Sequence, residues 1–92
     1  MARRLFTVED RFYIDGRGLI PVPGIVPEHG ERYRVGDPIE LRRPDGSVLR
    51  TRIGGIEMIN PTPQRSDTII LLRECTKDDV PVGTEVWSVD CA

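Results

Sequence analysis

The chain has 92 residues, 38% of them hydrophobic, 30% charged and 5% aromatic, and a net charge of −2. That length makes one small domain, burying about 60–65% of its unfolded surface. The charge gives no general attraction to nucleic acid or anionic membrane, and the aromatic content is low for a protein that reads bases by stacking.

No stretch approaches the roughly 20 apolar residues of a membrane span. The N-terminal "MARRLFTVED" lacks the apolar core of a signal peptide, so a single cytoplasmic domain over residues 1–92 is expected.

The first element is "LFTVEDRFYI", residues 5–14. Phe6, Val8, Phe12 and Ile14 share one parity, interrupted by Asp10, which predicts a strand. "DGRG", residues 15–18, is a turn, because glycine takes positive φ without steric cost. It leads into Leu19-Ile20-Pro21 rather than a helix, so it is not a phosphate loop. "LIPVPGIV", residues 19–26, is apolar, but Pro21 and Pro23 each lack a ladder donor; an edge or bulged strand is expected. Residues 27–34 form a loop and "VGD" at 35–37 a turn.

The most readable stretch is "PIELRRPDGSVLRTRIGGIEMI", residues 38–59. Ile39 and Leu41 alternate with Glu40 and Arg42; Leu49, Thr51 and Ile53 alternate with Val48, Arg50 and Arg52. Pro44-Asp45-Gly46 fits a three-residue hairpin loop. Centring it on Asp45 sets Leu41 opposite Leu49 and Glu40 opposite Arg50. Gly54-Gly55 then marks a bulge or sharp bend. After a loop at 60–66, "TIILLREC" (68–75) reads as a central strand, "TKDDV" (76–80) as one helical turn capped by Thr76, and "TEVWSV" (84–89) as the closing strand. Six short strands, regular turns and at most one helical turn predict an all-β fold, a six-stranded antiparallel closed barrel.

"VEDRFYIDGRG", "VGD", "GGIEMI", "LLR" and "TKDDVPVG" occur in this order across nearly the whole chain. In order and approximate spacing they resemble the second domain of bacterial elongation factor Tu. The resemblance implies the six-stranded barrel shared by translation factors. In that family the barrel lies between a GTPase domain and a third domain, and helps hold the aminoacylated 3′ end of tRNA. The family's acceptor-end positions match at Glu9, Asp10, Phe12, Arg17 and Glu57. They depart at Val22 or Pro23, where the family has threonine, and at Ile59, Asn60 and Asp67. The chain resembles neither of the other two domains, and no phosphate-binding loop occurs in it, so no GTP binding by this chain alone is expected.

Candidate chemistry is sparse. Lys77 is the one lysine, so twelve of the thirteen basic residues are arginine. Codon bias accounts for such a balance; bidentate recognition of carboxylate or phosphate is the functional alternative. His29, beside Glu28 and Glu31, reads as a solvated loop histidine rather than a base or metal ligand. Glu9–Asp10 on a strand points to opposite faces, and Asp78–Asp79 serves a helix start. Ser47, Ser66 and Ser88 have no nucleophile pattern around them. Cys75 and Cys91 are too few for a zinc site and read as free thiols, a bridge between them being the lesser reading. No catalytic residue, metal or cofactor is expected.

One surface feature stands out: Arg42, Arg43, Arg50 and Arg52 surround the hairpin loop. A solvated strand face is the plain reading and a docking patch the functional one. The expectation is a stand-alone, non-catalytic interaction module that binds a protein partner. The alternatives are an RNA binder that recognises a tRNA acceptor end or the ribosome and, last, an enzyme or small-ligand binder.

Overall fold

The structure is a computed structural model and describes residues 3–26, 32–58 and 68–89. Eight short strands follow in order: β1 (Arg4–Thr7), β2 (Asp10–Ile14), β3 (Gly18–Val22), β4 (Pro38–Arg42), β5 (Val48–Arg52), β6 (Gly55–Met58), β7 (Thr68–Leu71) and β8 (Glu85–Ser88). A single 3₁₀ turn, Lys77–Asp79, is the one helical piece among the described residues. The Asp79 carboxylate accepts the Thr76 main-chain N–H at 2.9 Å and its hydroxyl at 3.2 Å, which fixes the start of that turn. No helix of the described residues is long and apolar enough to cross a membrane.

Six expected strands become eight because two of them change sheets midway. Val8 N–H donates to Thr84 O at 2.8 Å, prolonging the β1–β8 ladder, while Glu9 N–H donates to Val22 O at 2.9 Å and opens the β2–β3 ladder. Likewise Ile53 N–H donates to Asp37 O at 2.9 Å, prolonging β4–β5, and Gly54 N–H donates to Leu71 O at 2.7 Å, opening β6–β7. This switch corrects the parity read from residues 5–14. Phe6 and Val8 are buried, but Phe12 is 53% exposed and Ile14 37%, because the strand has left the first sheet by then.

Among the described residues the ladders do not close into the expected barrel. The ladders make one four-stranded sheet, β1-β8-β4-β5, and two separate hairpins, β2-β3 and β6-β7. The runs that carry β3 and β7 meet at two isolated bridges, Leu19 with Leu72 just past β7 and Ile25, past β3, with Thr68. The reason lies in β3. Leu19 exchanges both main-chain bonds with Leu72 (3.0 and 2.8 Å), so alternate residues face β7, and the next of these is Pro21, which has no N–H to give. Of residues 19–26, β3 takes 19–22: it ladders with β2 on one side, and on the other its run makes only these bridges, the second ladder broken where proline stands.

The 38–52 hairpin has the expected register: Leu41 opposes Leu49 and Glu40 opposes Arg50. Gly46 N–H donates to Arg43 O at 3.0 Å, and Asp45 accepts from the N–H and hydroxyl of Ser47 at 2.8 and 2.6 Å, which close the loop. Ile39, Leu41, Ile53, Ile70, Leu72 and Val86 fill the centre of the core between the sheets. Cys75 is buried there as a free thiol. Burial pushes its pKa up, which makes it an inert core group. His29, Asp67 and Cys91 lie outside the described residues.

Candidate functional site

The four hairpin arginines do not act alike. Arg43 is tied down: its Nε donates to Asp79 O at 2.8 Å and its guanidinium stands 3.8 Å from the Asp79 carboxylate, joining the hairpin to the 3₁₀ turn. Arg42 lies across the Trp87 ring, 3.9 Å from its centroid, and its Nε donates to Glu40 at 2.7 Å. Trp87 in turn donates to Glu85 at 3.0 Å, and Glu85 pairs with Arg4 at 3.5 Å. The outer face of the four-stranded sheet is thus a connected network of charged groups around one indole. Glu40 is its hub. The hydrogen bond from Arg42 and the charges of Arg42 and Arg50, against an opposing effect of burial, hold its carboxyl below the ordinary 4.5.

Arg50 and Arg52 are freer. Arg50 donates through Nε to Glu40 at 3.3 Å, with its side chain 73% exposed, and Arg52 donates through one terminal nitrogen to Gly36 O at 2.9 Å. Both line a groove of about 560 Å³ beside the outer edge of β5, together with Val35, Gly54, Arg73 and Glu74.

Of the family-matched residues, Arg17 and Glu57 come together, 3.7 Å apart. With Gly16, Gly55, Leu71 and Arg73 they line a second groove of about 260 Å³. Glu9 and Asp10 do not join them. Asp10 pairs with Val22, at the end of the β2–β3 hairpin away from the Arg17 turn, about 14 Å along the strand from Ile14. Phe12 stands between, exposed on β2.

Arg73 belongs to both grooves. Its Nε donates to Gly54 O at 2.8 Å. A Cβ on Gly54 would stand 2.6 Å from the Arg73 Cγ, so only glycine lets this side chain cross the β5–β6 junction. Read from the residues alone, the hairpin patch and the Arg17–Glu57 surface are separate and Arg73 has no role. The signal for it is the Gly54-Gly55 doublet, since a strand glycine marks close approach of another group. Across the two grooves Arg17, Arg50, Arg52 and Arg73 face only Glu57 and Glu74, a local excess of positive charge on a chain of net charge −2.

Comparison with family profiles, curated proteins and solved structures finds no match to this chain.

Proposed function

We propose that the protein is a non-catalytic interaction module, related to the second domain of elongation factor Tu, that docks a protein partner over Arg73. The single observation carrying this reading is the shared position of Arg73, which lines both arginine-bearing grooves, so that they adjoin across one guanidinium. Arginine suits such a role: its planar fork binds carboxylates bidentately and is weakly hydrated. The local positive charge on an acidic chain favours an oriented acidic partner over general polyanion binding. The Ser47 hydroxyl in the hairpin loop is committed to structure, held by Asp45 at 2.6 Å.

One observation favours RNA. Phe12 and Tyr13, about half exposed on opposite faces of the strand that leads into the Arg17 turn, each offer a ring on which a base could stack. The groove over Arg73 itself is lined by no described aromatic residue.

A photo-crosslinking residue at Val35, an exposed lining residue of the larger groove, tests the two readings in whole-cell extract. Protein adducts are expected, lost in Arg73→Glu and kept in Arg34→Glu, whose side chain lies outside both grooves. Adducts to RNA alone, weakening steeply with salt, would replace the protein reading with the RNA one.

A further inference from the structure

β5 is the last strand of its sheet, and no described strand covers its outer side. The pairing pattern tells which groups that side presents. Arg43 N–H donates to Ser47 O and Ile53 N–H to Asp37 O, both at 2.9 Å. Bonding toward β4 therefore falls on Leu49, Thr51 and Ile53, and the intervening Val48, Arg50 and Arg52 turn their N–H and C=O outward. Arg50, Thr51 and Arg52 are consecutive lining residues of the larger groove, so this edge opens into it.

We infer that this edge takes an added strand: an extended segment of a partner protein bearing carboxylates at alternate positions, set against Arg50 and Arg52. The inference rests on the reading of the groove as a protein-docking surface. Three observations argue it. Successive same-face residues of a strand lie two apart, so arginines at 50 and 52 face partner residues that are also two apart. Each guanidinium carries five N–H donors and uses one here, at Glu40 and at Gly36 O, which leaves donors for a carboxylate. The exposed edge offers donors and acceptors in alternation. A peptide main chain matches both at the repeat of a strand, whereas the phosphates of a nucleic acid only accept and its 2′-hydroxyls do not alternate with them at that repeat. The same arginines oppose self-pairing, because a second β5 would bring like charges together.

The probe is an acetylated, amidated hexapeptide with aspartate at its second and fourth positions and threonine or valine elsewhere, titrated into the isotope-labelled chain. Saturable shifts of the β5 amides are expected. Arg50→Gln and Arg52→Gln should each weaken binding about fivefold. N-methylation at the two aspartates and N-methylation at the residues between them should have opposite effects, one abolishing binding and the other sparing it, because only alternate amides of a strand face the edge. Equal binding by a peptide with adjacent aspartates, or equal effects of the two methylation patterns, overturns the added strand. Tighter binding of a single-stranded oligoribonucleotide at the same amides also overturns it. If the strand signature fails while the Val35 protein crosslinks persist, the docking reading survives alone; if those crosslinks are absent, both fall.

Discussion

Gly16 and Gly18 flank Arg17 with different duties. Gly16 sits at φ +77, and a Cβ there would meet nothing within 4 Å, in a turn closed by Arg17 N–H to Ile14 O at 3.0 Å. Its requirement is conformational only. Gly18, at φ +128, would place a Cβ 2.6 Å from Leu72 O, where β3 crosses β7. Backbone cannot swing aside as a side chain does. Gly16→Ala is therefore expected to cost about 1 kcal/mol, and Gly18→Ala about 3 kcal/mol or more, read from urea midpoints. Equal costs would mean that the β3–β7 crossing has room to spare. The "GRG" string announces a turn in the sequence; that its second glycine serves a crossing depends on a residue more than fifty positions away.

The 38–52 hairpin is the element most fully legible from its residues. Strict alternation, a Pro-Asp-Gly loop and a buried face leave one register, since a slip of one residue would turn Leu41 and Ile39 to solvent. Its charge network makes a pH prediction. The folded-state pKa of Glu40 lies below its ordinary 4.5, so the network's contribution is full above that value and is lost as pH falls through the lowered folded pKa. Glu40→Gln should be less stable than wild type by about 0.5–2 kcal/mol near neutrality, leaving Arg42 and Arg50 as unneutralised neighbours. The gap should narrow below about pH 4.5, as measured by urea melts at several pH values. A gap that stays constant into the acid range would assign the stabilisation to the Arg42–Trp87 stack instead.

At the scale of the whole molecule, two chain runs tie the sheets together, through Val8 and Ile53, each about 1% exposed. Unfolding one sheet pulls a shared strand from the other, so a single cooperative transition is expected. Trp87 fluorescence, which reports the four-stranded sheet, and the β3 amide signals should give one urea midpoint, and Ile53→Ala should lower the unfolding free energy read by both probes by about 2–5 kcal/mol. Separate midpoints would mean that the halves fold independently. The sequence by itself determined the all-β class, the turns, the hairpin register and the arginine excess, because alternation, glycine and proline act on near neighbours. Only the tertiary structure decided that two strands switch sheets, that the ladders stop short of a barrel, and that Arg73 joins two arginine surfaces while Arg42 and Arg43 are drawn into internal contacts. Those outcomes turn on which distant segments meet: a missing proline N–H matters only once β7 lies opposite it, and Gly54 matters only once Arg73 crosses it.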